Sequence, residues 1–222
     1  MFYELSRNDH GLPFSPLKAL VVPRPIGWIS TLSRDGHVNL APYSEFNYVG
    51  DDPPYLMFSA SGHLTGGRKD SCINVEETGE FVYNMATWEL REAVKLTADL
   101  EERDVDEMEL AGLAREPSRL VKPPRVAASP VQLECVHYQT TVLPGRTPKT
   151  TSHMVVGKVI GVHIKDEFIT DAGLIDIPKI RPLARLGYLD YTAVDASFGI
   201  GHKGRDATQR ERRIMASKAP QS

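Results

Sequence analysis

The chain has 222 residues, of which 41% are hydrophobic and 25% are charged, and its formal net charge is -3 at pH 7. This length and composition suit one fairly large globular domain, or two very small ones, whose core needs no disulfide or metal. They exclude a collagen-like, mostly disordered, membrane-spanning or disulfide-framework protein, and the slightly negative charge argues against nucleic-acid or acidic-membrane partners.

Short apolar or alternating runs separated by turn residues dominate the sequence, which contains 17 glycines and 16 prolines. Residues 38–48 read as an extended segment that breaks at Pro42, because proline cannot donate a ladder hydrogen bond. This density of strands and turns is typical of an antiparallel barrel or sandwich. The other predicted strands are 26–32, 55–60, 80–85, 131–142 and 154–164.

Helices are predicted to be fewer and shorter than strands. Thr87 is a candidate N-cap, because Leu90, Ala93, Val94 and Thr97 then fall on one helical face. A short helix is predicted over 17–20. The stretch 99–109 contains seven acidic residues and is predicted to be a solvated helix or loop.

We predict one domain over residues 1–194 and a C-terminal tail over 195–222. Three glycines loosen the start of this tail, and one short helix is expected over 208–218. The tail is predicted to be mobile or packed on a partner subunit.

The cysteines and the N-terminus predict a cytoplasmic location. Cys72 and Cys135 form neither a CxxC motif nor a zinc-type spacing, so reduced thiols are expected. Residues 1–14 lack the basic flank and apolar run of a secretory signal. The longest apolar stretch, 154–162, is far shorter than the ~20 residues of a membrane helix.

Familiar catalytic patterns are absent from the sequence. There is no P-loop, no GxSxG nucleophile elbow, no HExxH motif and no GxGxxG run that opens a helix. The seven histidines do not cluster at metal-ligand spacing, and His137 and His163 are expected at the surface or at the edge of the core. We therefore assign no catalytic side chain and no metal ligand.

Small polar residues recur in and between the early strands. A sheet edge at Pro42 would leave backbone N–H and C=O groups free to meet a flat heterocycle rich in donors and acceptors. The same residues could equally form only an irregular edge with turns. The candidate residues are Ser30, Thr31, Ala41, Pro42, Tyr43, Ser44, Phe46, Asn47 and Ser59.

A second candidate feature is the run of residues 66–71, GGRKDS. Its two glycines allow close backbone approach, Arg68 and Lys69 supply positive charge, and Ser71 supplies a hydroxyl. Together they could hold one phosphate monoester through charge-assisted hydrogen bonds. The alternative is a solvated loop followed by a helix that starts after Asp70 or Ser71.

In order and spacing, these motifs resemble those of the flavin reductase-like family of FMN-binding split-barrel proteins. The resemblance covers roughly residues 17–191, and Lys69-Asp70-Ser71 with Asn74 is similar to the family's KDT..N phosphate motif. Other matching segments are PRPIGWIST at 23–31, NLAPYSEFN at 39–47, EFVYN at 80–84, ELAGL at 109–113 and PLARLG at 182–187.

The resemblance implies a mainly β fold, a six-stranded antiparallel Greek-key barrel with flanking helices. It also implies a homodimer with FMN near the subunit interface. The FMN phosphate would contact Ser30, Thr31, Lys69 and Ser71, and the ring would lie along 44–47 near Ser59. The remaining implied contacts are Ala41, Pro42, Tyr43, Asp70, Asn74, Arg185 and His153, which stands where some members have Gly-Asp-His.

The function implied by the resemblance is an FMN-binding oxidoreductase that reduces flavin with NADH or NADPH. Hydride would pass from the nicotinamide to the flavin, so no side chain needs to act as nucleophile or base. An electron-accepting oxygenase is a candidate partner. The first alternative is a flavoredoxin-like FMN electron carrier without nicotinamide activity, and the second is a flavin-free barrel that serves as a binding module.

Overall fold

The computed structural model describes residues 1–62, 67–98, 103 and 105–200. Gly66, residues 99–102 and 104 of the acidic stretch, and the helix expected over 208–218 therefore lie outside the described residues. Within those described ranges, no helix is both long and apolar enough to cross a membrane.

Strands form most of the regular structure in the described part of the chain. The helices are α1 (Leu17–Leu20), α2 (Asp70–Thr78), α3 (Arg91–Leu96), α4 (Glu107–Leu110) and α5 (Ile177–Ile180). The strands are β1 (Arg24–Pro25), β2 (Gly27–Leu32), β3 (Val38–Tyr43), β4 (Phe46–Asp51), β5 (Pro54–Ser61), β6 (Glu80–Met85), β7 (Arg115–Glu116), β8 (Arg125–Val126), β9 (Val131–Leu143), β10 (Ser152–Ile164), β11 (Leu183–Gly187) and β12 (Asp190–Ala193).

One antiparallel sheet with the order β3-β2-β6-β9-β10-β5-β4 forms the body of the protein. Its two edge strands, β3 and β4, are consecutive in the chain and are joined only by Ser44 and Glu45. Three Cα steps cover at most about 11 Å, so the two edges must meet. The sheet therefore curls into a barrel that remains split between β3 and β4.

The predicted fold class, a mainly β split barrel with flanking helices, is confirmed. The main sheet contains seven strands where six were expected. The difference arises because the segment predicted as one extended stretch over 38–48 is divided by the turn into β3 and β4.

Two apolar clusters stabilise the barrel, one inside the sheet and one outside it. The inner cluster contains Ile29, Phe58 and Phe81, and α2 adds Cys72 and Val75 to it. Burial raises the pKa of the Cys72 thiol to about 12, so the thiol stays protonated at neutral pH. Because α2 contributes to the inner cluster, its first turn is held against the barrel.

The outer cluster explains why β2 is buried on both faces. Trp28 is fully buried and packs there with Leu40, Val94 and Met108. Its indole Nε1 donates a hydrogen bond to Thr97 Oγ1 at 2.8 Å, which satisfies the one polar atom of the side chain. The helices α3 and α4 therefore cover the outer face of β2 and β3.

Gly157 of β10 leaves room for the ring of Phe81, and a Cβ at position 157 would overlap that ring. We expect Gly157→Ala to lower the free energy of unfolding by about 1–3 kcal/mol, because overpacking forces the core to shift. Urea unfolding measures this. Gly199→Ala is the matched control, because a Cβ there meets no atom within 4 Å; equal losses in both variants would contradict the packing explanation.

The predicted N-cap at Thr87 is wrong. The helix α3 begins at Arg91 with Leu90 as its N-cap, while Thr87 forms an isolated bridge with Pro182. This pairing with the C-terminal part of the chain delays the helix by one turn. The predicted buried face is correct, since Val94 and Thr97 are buried and Leu90 and Ala93 are half-buried.

Candidate functional site

The turn between the two edge strands lies at the split of the barrel. Pro42 pairs with Trp28 of β2 on one side, and among the described residues β3 has no strand on its other side. The prediction of a sheet edge at Pro42 is therefore confirmed, but the strand continues through Pro42 and ends at Tyr43. The Ser59 amide of β5 donates to Glu45 O at 2.8 Å, which fixes the turn from the β4 side.

Aromatic rings support the turn from within the barrel. The ring centroids of Tyr43 and Phe58 lie 5.0 Å apart, and those of Phe46 and Tyr83 stack at 4.7 Å. The backbone around the turn is therefore held in place from inside, while its outer side is open. Ala41, Pro42, Ser44 and Ser59 are half-buried and Asn47 is exposed.

The helix α2 begins at the predicted phosphate motif. Lys69 is its N-cap residue, and the Lys69 side chain makes no capping hydrogen bond to this helix end. Asp70 and Ser71 form the start of the first turn, as predicted for a helix start at this position. Uncapped amides at a helix N-terminus attract an anion, because their N–H groups point outward and the helix dipole is positive there.

Lys69 is the cation that stands at this helix end. Its side chain is half-buried and makes no ion pair with any other described residue. Burial lowers the pKa of Lys69 because the ammonium loses water, although the carboxylate of Asp70 partly opposes this. A half-buried ammonium without a paired carboxylate is well suited to an anionic ligand.

Arg68 forms an ion pair with a residue of α2. Its guanidinium donates to both carboxylate oxygens of Glu76 at 2.7 and 2.5 Å, and this pairing lowers the pKa of Glu76. Of the two cations in the predicted phosphate motif, only Lys69 therefore remains without a carboxylate partner among the described residues.

Asn39, the first residue of the segment 39–47, was not among the predicted cofactor contacts, but it connects the helix start to the edge strand. Its Nδ2 donates to Ser71 Oγ at 2.8 Å, and both residues are buried. Ser71 is thereby fixed against β3, where a side-chain hydrogen bond also links it to Tyr43. The signal for Asn39 was its spacing, because residues two apart on a strand share a face, and Ala41 and Tyr43 follow at that spacing.

The predicted phosphate contacts Ser30, Thr31 and Asn74 lie inside the protein. Ser30 Oγ donates to Pro124 O at 2.6 Å, and Asn74 Nδ2 donates to Thr31 Oγ1 at 3.1 Å. All three residues are at most 2% exposed. Asn74 Oδ1 is buried without a hydrogen-bond partner among the described residues. Their role as cofactor contacts stays a prediction.

His153 and Arg185 lie on strands that do not border the split. His153 of β10 pairs with Ala60, the residue after Ser59 on β5, and burial lowers the pKa of its imidazole. Arg185 of β11 pairs with Arg24 of β1, and its guanidinium lies over the ring of Tyr191 at 4.4 Å. The structure thus brings His153 to the same strand pair as Ser59 and keeps Arg185 on a separate small sheet.

Glu107 corrects the prediction of a solvated acidic stretch. It is 8% exposed, and its Oε2 accepts a hydrogen bond from the Leu40 amide at 2.8 Å. Burial raises the pKa of Glu107 from 4.5 to about 7. The sequence predicts a solvated position for Glu107 because it does not reveal that the hydrogen-bond partner is a backbone amide of a distant strand.

The residues present fit a phosphorylated, planar ligand such as FMN. The start of α2 with Lys69 would hold a phosphate. The open backbone and hydroxyls along 44–47 and at Ser59 would meet a heterocycle. Asn74 Oδ1 of this helix has no hydrogen-bond partner among the described residues, and as an acceptor it could bind a donor group of such a ligand but not its phosphate.

Comparison with known proteins agrees with this fit. The model of the family described as "Flavin reductase like domain" matches residues 19–180. The chain belongs to the flavin reductase-like family. An uncharacterized protein of Aquifex aeolicus is 37% identical over 187 residues, which cover 84% of this chain and 92% of that protein.

Solved structures of the family share the fold. Nitrilotriacetate monooxygenase component B from Bacillus cereus superposes with a TM-score of 0.82 at 26% identity and covers 90% of this chain and 98% of its own. Pseudomonas fluorescens 2-nitrobenzoate 2-nitroreductase has a TM-score of 0.78 at 25% identity, covering 91% and 96%. Membership of this flavin reductase-like family supports a flavin cofactor and an oxidoreductase type of function.

Proposed function

We propose that this protein binds FMN at the barrel split and reduces it with NADH or NADPH. The observation that carries the proposal is the start of α2 beside the edge strand β3, where Lys69 is the N-cap residue and has no ion-pair partner among the described residues. Bound FMN would supply the acceptor for a hydride. The protein's own part is to hold the phosphate, orient the ring and keep water away from it.

Lys69 and the first amides of α2 would bind the phosphate. Ser71 would contact it through its hydroxyl, which already accepts a hydrogen bond from Asn39. The ring would rest against the turn of residues 44–47, whose backbone is fixed by Ser59. His153 would stand at the neighbouring strand pair, where its lowered pKa keeps the imidazole neutral at pH 7.

The visible spectrum of the purified protein tests this proposal. FMN should bind and stabilise the protein, and free FMN at 100 times its dissociation constant should add about 2.7 kcal/mol. Anaerobic NADH or NADPH should then bleach the flavin. Bleaching with neither nucleotide, although FMN binds, would identify a flavoredoxin-like electron carrier instead. Failure of FMN to bind would favour the remaining alternative, a flavin-free barrel that serves as a binding module.

Lys69→Ala tests the phosphate assignment. We expect FMN affinity to fall about 10- to 150-fold, which corresponds to the roughly 1.5–3 kcal/mol of a charge-assisted hydrogen bond. Fluorescence titration of FMN measures this. Lys122→Ala, at an exposed position, is the matched control. Equal affinities in both variants would place the phosphate elsewhere.

A homodimer and an electron-accepting partner belong to the same proposal. The edge strand β4 leaves Tyr48 and Val49 51% and 53% exposed, and two-fold dimers are the commonest assembly. An oxygenase is a plausible acceptor because one similar structure is a monooxygenase component. A cytoplasmic location suits the free, buried Cys72 and Cys135. Size-exclusion chromatography at low micromolar concentration tests the dimer.

A further inference from the structure

A groove of about 550 Å³ separates α3 from the small sheet of β11 and β12. Trp88 and Tyr191 form aromatic walls, and Val94, Leu183 and Leu189 form an apolar lining between them. This volume lies within the range of pockets that hold small organic ligands. The groove, called the Trp88 groove below, lies outside the phosphate site proposed at α2.

Three cations surround this apolar lining. The Arg91 guanidinium carbon lies 4.2 Å from the centroid of the Trp88 ring, and the Arg185 guanidinium lies over the ring of Tyr191. Lys95 also lines the groove. Glu92 adds one carboxylate, which lies 3.6 Å from Arg91 Nε. The lining of the groove therefore carries a net positive charge.

Lys95 differs from the two arginines of the groove in the contacts that its charged group makes. Its ammonium makes no ion pair with another residue in the described ranges, whereas Arg91 also donates to Trp88 O at 2.8 Å and Arg185 donates to Tyr188 O. The two stacked guanidiniums are held flat by the aromatic rings, which leaves their edges oriented for an anion.

We propose that the Trp88 groove binds a small aromatic carboxylate. An apolar lining without cations would suit a neutral ligand, and cations without an apolar lining would suit a free inorganic anion. Aromatic walls, apolar side chains and an ammonium that has no ion-pair partner in the described part of the chain together match a ring that carries one carboxylate. This inference goes beyond the proposed flavin chemistry, because it concerns a ligand that binds whether or not flavin is present.

Intrinsic fluorescence of the flavin-free protein tests the proposal with benzoate as the probe. The chain has two tryptophans; Trp28 is 0% exposed and Trp88 is 41% exposed, so a ligand in the groove changes the emission of Trp88. We expect a saturable change with benzoate and binding of the uncharged benzamide that is at least tenfold weaker. A linear, non-saturating change, or equal binding of both compounds, would overturn the proposal.

Lys95→Gln removes the charge and leaves a polar side chain that is shorter than that of lysine. We expect benzoate to bind about tenfold more weakly to this variant and benzamide to bind as before. Lys122→Gln, outside the groove, should change neither. Equal benzoate affinities in the two variants would rule out recognition by Lys95.

Addition of FMN separates this inference from the proposed function. Simultaneous binding of benzoate and FMN supports a distinct site. Displacement of benzoate at the dissociation constant of FMN would mean that the groove belongs to the flavin site, and would overturn the inference while upholding flavin binding. Benzoate binding without any FMN binding would uphold the inference and contradict the proposed function.

Discussion

Glu134→Ala is expected to lower the free energy of unfolding by about 3–5 kcal/mol at pH 7, because it removes a buried, fully paired charge. The Glu134 side chain is 0% exposed and accepts hydrogen bonds from the amides of Arg119, Leu120 and Val121 at 2.8, 2.6 and 3.2 Å. His163 Nε2 lies 2.5 Å from its Oε1. Alanine would leave these donors without an acceptor.

The pKa of Glu134 supports the same expectation. Burial would raise it, but the Arg119 amide and the His163 imidazole outweigh burial and hold it below its usual range. A folded-state pKa below the unfolded value gives stability that is present above about pH 4.5 and is lost as pH falls further. The contribution of Glu134 is therefore complete at pH 7, where urea unfolding compares the variant with the natural protein.

Glu116→Ala is the matched control for Glu134→Ala. Glu116 lines the same side of the barrel as His163, but its side chain is 47% exposed and its ion pair with Arg125, at 3.1 Å, meets solvent. We expect the control to lose less than about 1 kcal/mol. Similar losses in the two variants would show that the buried carboxylate does not hold the segment 119–121.

The strands of the barrel could be predicted because their pattern is local. The predicted strand over 80–85 coincides with β6, and the predicted strand over 26–32 contains β2. The prediction that the strand breaks at Pro42 was wrong, although its reason, the missing hydrogen-bond donor of proline, was correct. Proline removes a donor, and an edge strand tolerates this without breaking because one side of it has no ladder.

Features that depend on distant residues could not be predicted. The start of α3 moved from Thr87 to Leu90 because Thr87 pairs with Pro182. The hydrogen bond from the Ser30 hydroxyl to Pro124 O, 94 positions away, could not be predicted either, while the cofactor contact of Ser30 stays a prediction. The start of α2 after Lys69 could be predicted because the run of Gly, Lys, Asp and Ser is a local signal, while the phosphate contact of Lys69 stays a prediction.

Glu107 is expected to make stability fall as pH rises through the neutral range. Burial raises its folded pKa to about 7, from 4.5, so the folded protein keeps a proton that the unfolded chain has lost. Stability is then complete below about pH 4.5 and declines up to about pH 7. A shift of this size corresponds to about 3 kcal/mol. The window lies above that of Glu134, so the two carboxylates act in separate pH ranges.

Glu107→Gln isolates this effect, because glutamine keeps an acceptor for the Leu40 amide, which Glu107 Oε2 binds at 2.8 Å, and carries no charge. Unfolding free energies from urea at pH 5 and pH 8 give the difference between the natural protein and the variant, in which all other titrating groups cancel. We expect this difference to move by about 3 kcal/mol in favour of the variant between the two pH values. A constant difference would mean that Glu107 ionises in the folded protein as easily as in water, and that the Leu40 amide and nearby solvent compensate fully for its burial.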